Sequence, residues 1–558
     1  MRSPFTVVRD LVSDAREKVV TAARFSHQTG YLWEVRPGAV GELFRALVTG
    51  AQNPATAYRI AAKNHPDKVA LVHGERRIPF GDLDRLIDSA AHGLHTAGVR
   101  RGHSVLLAMK NCPEFVIASA AAGRLRASAV AVSWRSTPRE LAYLANHSKA
   151  RLVVCDPDVF RTLEAARADL SEELLSRVFV VGGAGQGAPF ERLLSHEDRG
   201  PFVDAAPGED AAVVIYTSGT TGKPKGAVRK FPRSAANAAF RFLCEVPLRV
   251  EDVHLVACPM YHSTAYAFMT FSHIMGNTVV LMDEFTPEGF LAQVERYKVS
   301  TTAVVPTMLH RLMQLPDAVR RRYDAHTLRI VFSGGAHLPP TVATAFMDAF
   351  GDTVYNFYGA TETGLVTLAS PRDLRSAPGT IGRAVPGNEI RLLGESGAPV
   401  PAGQVGELFV KNDLLVSGYY DDDAATRGSM REGFFSVGDL ARVDDHGRYF
   451  LEGRKRDMIV TGGVNVYPAE VEHALMGHPG VSEVAVLGRK DEEWGERVVA
   501  FVVPAGDVTE GELVAFAKER LSGPKRPKEY HFVPALPRNP TGKVVKRELE
   551  GRLEPRTA

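Results

Sequence analysis

Residues 211–229 read AAVVIYTSGTTGKPKGAVR, and this stretch decides the architecture. Residues 212–216 form an apolar run of strand length, which feeds directly into Thr217, Ser218, Gly219, Thr220, Thr221, Gly222, Lys223, Pro224, Lys225 and Gly226. Glycines let a backbone approach an anion closely, hydroxyls donate hydrogen bonds to it, and lysines supply opposite charge. Four hydroxyls, three glycines and two lysines in ten residues suit a polyphosphate better than a bare surface hairpin. The loop is not a Walker A motif, because Lys223 is followed by Pro224 rather than Ser or Thr.

Around this loop, β-rich runs at 68–73, 104–109, 129–132 and 151–155 alternate with helical stretches such as 80–97 and 138–146. The alternation resumes at 279–282, 302–305 and 328–332. Strands separated by covering helices predict an α/β fold with parallel sheets. After about Gly379 the pattern changes to short glycine-punctuated strands at 390–393, 406–410 and 447–451, a β-rich subdomain. From Arg454 onward, a helix at 468–476, strands at 481–487 and 498–503 and a helix at 509–521 predict a small α+β domain. The expected division is therefore 1–50, a helical extension; 51–453, a large domain; and 454–558, a small mobile one.

Composition narrows the function. The 558 residues are 45% hydrophobic and 24% charged, ordinary for a globular chain. Lys and Arg (67) nearly balance Asp and Glu (65), so no bulk field selects nucleic acid. Four dispersed cysteines without a CxxC pair favour a reducing compartment over a structural zinc site. The apolar stretch 115–132 is broken by Arg124 and Arg126, and Asp and Arg interrupt the N-terminus too early for a signal-peptide core. A cytoplasmic protein is expected. Phe5, Val8, Leu11, Ala15, Val19 and Ala22 fall at helical spacing, and residues 40–48 repeat the pattern. Such helices either anchor at a membrane surface or pack on the protein body. Their mixed acidic and basic polar face favours packing.

YTSGTTGKPKG resembles the phosphate-loop signature of the adenylate-forming (AMP-binding) superfamily, which includes acyl-CoA synthetases. Six further stretches resemble that superfamily's motifs in its order: SGGAH at 333–337, YGATET at 358–363, FFSVGD at 434–439, GRKRDMI at 453–459, GGVNVYP at 462–468 and PRNPTGK at 537–543. The resemblance covers roughly residues 54–550. It implies that Gly335, Ala336 and His337 line the adenine pocket and acyl tunnel. Tyr358 and Gly359 would flank adenine, Thr361 would meet the α-phosphate, and Glu362 would hold Mg²⁺. Asp439 and Arg454 would take the ribose, Arg456 would be the hinge, and Gly462 and Gly463 would serve the CoA step. Lys543 would bridge carboxylate and α-phosphate. Two departures stand out: Val437 where Thr is usual, costing a local hydroxyl, and Arg456 where Asp or Lys is common.

The implied chemistry is ATP-dependent activation of a carboxylic acid to an acyl-adenylate, followed by transfer to CoA. Charge accumulating on the phosphoryl oxygens calls for preorganised positive charge, and the mixed anhydride needs protection from water. The segment Cys258-Pro259-Met260-Tyr261-His262-Ser263 holds no acid to bind an α-amino group, which disfavours amino-acid substrates. PMYH resembles fatty acyl-CoA synthetases, with His262 either near the acyl tunnel or a satisfied core histidine. Residues 265–269 line a tunnel on one reading and fill a core on the other. A medium- or long-chain fatty acid is the first expectation. A fatty acyl-AMP ligase loading a carrier protein is disfavoured, because no extra segment is evident between Gly406 and Gly453. An aryl-CoA ligase, an inactive nucleotide-binding homologue and a P-loop ATPase or kinase are the remaining alternatives. Intact Lys543, Glu362 and Asp439 oppose the inactive homologue.

Overall fold

A computed structural model describes residues 27, 29–30, 35–49, 54–183, 187–196, 199–203, 212–217, 225–230, 238, 241–416, 418, 423–462, 464–491, 493–538 and 544–553. The helix expected over 5–22, residues 218–223 of the phosphate loop, Gly463 and Lys543 lie outside them.

Three sheets organise the chain. The first has seven strands, in the order Ala188–Pro189, Val178–Val180, Ala150–Cys155, Ser104–Ala108, Ser128–Ala131, Ala212–Thr217 and Lys225–Lys230. Its inner strands are parallel and almost entirely buried, as expected for sheets covered on both faces. Its last two strands form an antiparallel hairpin whose final pair is Thr217 with Lys225. The two strands that flank the glycine-rich stretch are therefore rooted in a buried sheet.

The second sheet contains parallel strands Thr278–Leu281, Val253–Val256, Thr301–Val304, Ile330–Ser333 and Val354–Ala360, packed side by side. Pairing turns antiparallel already at Gly364–Ala369, before the sequence change after Gly379, and that change does not begin a separate sheet. Thr380–Ala384 pairs with Tyr449–Arg454, so the hydrogen-bonded ladder runs unbroken into the β-rich region. The third sheet, with five strands, joins Val464–Val466, Ile459–Thr461, Gly495–Pro504, Val481–Asp491 and Glu529–Phe532.

Helix starts follow local chemistry. Thr137 accepts from the Glu140 amide while the Glu140 side chain caps Thr137 in return, and Thr509 with Glu512 repeats this capping box. Helices Phe80–Thr96, Pro113–Arg124 and Ser263–Ile274 bury their apolar faces in one core, which also takes side chains from both large sheets. Within it, Arg124 pairs with both Asp84 and Asp88, and Arg59 joins Asp88. Among the described residues, no helix is long and apolar enough to cross a membrane.

Two histidines are sealed inside this region. His254, hydrogen-bonded to Thr301 at 2.9 Å, is pushed down to about 3 by burial and by nearby His273. Burial pushes His273 down to about 4, against the Ala70 carbonyl, which favours the proton. Unfolded histidines take up protons near pH 6.5, whereas these stay neutral until far lower. Stability should therefore be unaffected above about pH 6.5 and fall as pH drops toward 4. The slope approaches ~1.4 kcal/mol per unit for each histidine. Urea midpoints at pH 7 and pH 5 check this: the decline should flatten in a His254→Gln/His273→Gln variant, and an equal slope in both proteins would refute it.

Candidate active site

The C-terminal ends of parallel strands are where α/β folds gather ligand groups, and residues 334–337 and 361–362, singled out in the sequence, lie there. Strand Ile330–Ser333 ends at Gly334, Gly335, Ala336 and His337; its neighbour Val354–Ala360 ends at Thr361 and Glu362. Gly335 adopts φ +80, a left-handed conformation that glycine takes without strain. A methyl group at Gly334 would overlap the Phe357 ring, and one at Gly359 would overlap the Gly364 carbonyl oxygen. Residues 360–363 close a tight turn in which Thr363 donates from its amide to the Ala360 carbonyl at 3.2 Å. The Ala360 amide in turn donates to the Thr363 hydroxyl at 3.0 Å. The strand then doubles back as Gly364–Ala369.

Tyr358 is buried, and its hydroxyl donates to Asp439 Oδ2 at 2.7 Å. Asp439 Oδ1 accepts from Arg454 Nε at 3.2 Å. Asp439 and Arg454 face each other across antiparallel strands Asp439–Val443 and Tyr449–Arg454, so sheet register sets their pairing. Burial, then the Asp439 carboxylate, raises the Tyr358 phenol well above its usual value; Arg454 opposes the rise and Glu362 adds to it. The phenol thus remains a donor at neutral pH. Glu362, 7% exposed, lies within the electrostatic reach of Tyr358. Its backbone carbonyl accepts from the Val416 amide at 2.8 Å. Thr361 and Ser263 hydroxyls stand 3.4 Å apart, joining this turn to the start of helix Ser263–Ile274. His262 is the N-cap residue of that helix, its ring 4.1 Å from that of Tyr261. Ala265, Phe268 and Met269 are buried in the core.

Tyr358, Thr361, Glu362, Asp439, Arg454 and the first turn of the His262 helix therefore share one region. Gly462 belongs to the small sheet instead. Its amide donates to the Trp494 carbonyl at 2.8 Å, and at φ +56 a methyl group there would strike the indole. Arg456 is half-exposed and lies 3.3 Å from Asp457.

Helix Pro468–Met476 nevertheless comes within electrostatic reach of His337. Burial lowers the His337 imidazole, with Glu472 opposing and His473 adding to the effect. Both lie on helix Pro468–Met476. His310, on helix Pro306–Met313, is lowered by burial, while Glu483 raises it and Arg538 lowers it. Arg538 pairs with Glu483 at 3.0 Å and forms an isolated bridge with Val544. Arg538 and Glu483 thus lie within electrostatic reach of His310 on helix Pro306–Met313.

Two supporting groups were not legible beforehand. Ser436 Oγ donates to Glu407 Oε1 at 2.7 Å and accepts from the Gly438 amide at 3.0 Å. A hydroxyl next to Val437 thus organises the turn leading to Asp439. Lys455 reaches Glu407 Oε2 at 2.9 Å, fastening the chain just before Arg456. Only the Ser436-Val437-Gly438-Asp439 order hinted at the first, and nothing in the sequence indicated the second.

Known proteins resemble the chain over most of its length. Residues 58–420 match the family model described as AMP-binding enzyme, and residues 470–543 match the AMP-binding enzyme C-terminal domain. The chain is 33% identical to the long-chain-fatty-acid–CoA ligase FadD13 of Mycobacterium tuberculosis, over 85% of this chain and 92% of that one. It is 34% identical to a feruloyl-CoA synthase of Amycolatopsis sp, over 88% and 97%. Among solved structures, the anthranilate CoA ligase AuaEII, in complex with anthranoyl-AMP, superposes with a TM-score of 0.82 at 25% identity, covering 90% of this chain and 97% of that one.

Proposed function

The chain belongs to the AMP-binding enzyme family and is an acid–thiol ligase of the adenylate-forming type; on that premise we propose that its acid is a medium- or long-chain fatty acid, converted through an acyl-adenylate to acyl-CoA with release of AMP and pyrophosphate. The observation carrying the nucleotide half is the cluster of buried Tyr358 and Asp439 with partly exposed Arg454, beside Glu362. A phenol, a carboxylate and a guanidinium held together in this way suit an adenine ring and the vicinal hydroxyls of a ribose.

In the first half-reaction a carboxylate oxygen attacks the α-phosphorus of ATP, and the bond to the β-phosphate bridging oxygen breaks. Thr217, Ser218, Gly219, Thr220, Thr221, Gly222 and Lys223 cradle the triphosphate. Thr361 and Lys543 orient the α-phosphate, and Lys543 draws the carboxylate to it. Gly335, Ala336, His337 and Gly359 bound the adenine side, with His262 near the acyl chain. Among the described residues no three His, Cys, Asp or Glu side chains converge. A buried carboxylate such as Glu362 still fits Mg²⁺, which commonly leans on one or two carboxylates and the substrate phosphates. When bound, Mg²⁺ neutralises charge on the phosphates. In the second half-reaction the unit 454–558 turns about Arg456 relative to 51–453. Lys543 withdraws, and the Gly462 and Gly463 face admits the CoA thiol to the acyl carbonyl, so that AMP leaves. Residues 1–50 are a candidate peripheral membrane contact for an enzyme using lipid acids.

An aromatic acid is the second reading. It is supported by the likeness to a feruloyl-CoA synthase at 34% identity and to an anthranilate CoA ligase structure at a TM-score of 0.82.

The test is carboxylate-dependent pyrophosphate release from ATP and Mg²⁺ with short, medium, long and aromatic acids, with and without CoA. Medium or long alkanoates should give turnover that CoA accelerates, with acyl-CoA as product. Turnover confined to aromatic acids would replace the fatty-acid reading, and adenylate accumulating despite CoA would point to a carrier-protein acceptor. Silence with every acid would refute the ligase.

A further inference from the structure

Asn111 lies outside every motif considered so far, yet it ties the two large sheets together at their ligand-bearing edge. It follows strand Ser104–Ala108 of the seven-stranded sheet and precedes helix Pro113–Arg124. Its side chain, 3% exposed, crosses to the other sheet. Nδ2 donates to the Cys258 carbonyl at 3.0 Å and to the Met282 carbonyl at 2.9 Å, and Oδ1 accepts from the Met260 amide at 2.8 Å. Those partners lie just beyond strands Val253–Val256 and Thr278–Leu281, where the ladder has ended and backbone groups need other partners.

This donor and acceptor set defines the side chain. Two carbonyls require an NH₂ and one amide requires an oxygen, so a carboxamide of this length meets all three. Aspartate would turn an oxygen toward two carbonyls, and leucine would leave three buried backbone groups unmet.

The clamped segment leads straight into the site. Pro259, between the two clamped residues, accepts at its carbonyl from the His262 amide at 3.1 Å, and the His262 carbonyl accepts from the Tyr266 amide at 3.1 Å. One helical residue later, the Ser263 hydroxyl meets Thr361. We infer that Asn111 is a positioning residue for the acid substrate: it fixes the 258–262 turn and thereby sets His262 and the first turn of its helix against Thr361 and Glu362. This rests on the functional reading above, in which the acid lies beside His262. The nucleotide contacts of Tyr358, Asp439 and Arg454 come from other strands and do not pass through Asn111.

The experiment compares KM for the preferred acid and for ATP in the full-length enzyme and in Asn111→Asp. The acid KM should rise at least about tenfold, the scale expected when buried hydrogen bonds to the turn are lost, while the ATP KM stays within twofold. In a His262→Ala background the same substitution should add much less to the acid KM. A fall in melting temperature with acid KM unchanged, a parallel rise in both KM values, or full additivity with His262→Ala would each overturn the inference. Should Asn111→Asp fail to fold, amide exchange in the wild-type enzyme decides. The 258–263 segment should exchange more slowly with an acyl-adenylate analogue than with AMP alone, and equal exchange would overturn the proposal. A wild-type enzyme that turns over no acid would sink the functional reading and this inference together, whereas normal turnover with unchanged acid KM in Asn111→Asp would sink only the latter.

Discussion

Lys543→Ala should abolish acyl-adenylate formation while leaving thioester formation from a supplied acyl-adenylate within a few-fold of wild type. Removing one preorganised donor from a developing oxyanion typically costs ~10²–10³ in rate, and a full positive charge beside the α-phosphate should cost at least that much. The substitution leaves its surroundings in place. The flanks are held independently, by the Arg538–Glu483 pair at 3.0 Å and by Lys546, which pairs with Glu472 at 3.0 Å and donates to the Val486 carbonyl at 2.8 Å. A selective loss is therefore a loss of chemistry and not of folding. Both half-reactions are read separately, by carboxylate-dependent pyrophosphate release and by acyl-CoA formed from synthetic adenylate. Survival of the first would show that Lys543 has been given the wrong role.

Asp439→Ala is expected to have the next largest effect. It strips the Tyr358 hydroxyl of its 2.7 Å acceptor and Arg454 of its carboxylate in one step. Hydrogen bonds to charged groups are worth about 1.5–3 kcal/mol each, so kcat/KM for ATP should fall ~100-fold while the acid KM moves little. Asp439→Asn keeps an oxygen for the phenol and should fall between. An ATP KM within twofold of wild type in Asp439→Ala would remove this cluster from the nucleotide site. A large loss of thermal stability without a KM change would make it a purely structural lock.

Both predictions concern residues that the sequence displayed with unequal clarity. The strand entering the glycine-rich loop was legible because apolar run, glycines, hydroxyls and lysines are contiguous, and local pattern is what a sequence expresses directly. Tyr358 and Glu362 were legible for the same reason. The register was less so: Tyr358 and Gly359 lie within strand Val354–Ala360 and not beyond it. Asp439, read in isolation, looks like one more turn aspartate. Its 8% exposure arises from pairing with Arg454, 15 residues later across a strand turn. The unbroken ladder from parallel to antiparallel strands was equally hidden, because it depends on Thr380–Ala384 meeting Tyr449–Arg454. Asn111 was the least legible: its partners are 147 and 171 positions away for the donated bonds. Such long-range side-chain choices leave no periodicity to read.

The crowding around Gly359 bears on how such a protein can diversify. With the Gly364 carbonyl occupying the space a methyl would need, and the Phe357 ring doing the same at Gly334, single substitutions at either position meet a steric wall. The helix that begins at Ser263 is less constrained, with side chains only partly enclosed at Ser263, Thr264, Tyr266 and Ala267. On the proposed placement of the acid beside His262, a lineage built on this scaffold would exchange one acid for another without relearning how to hold its nucleotide.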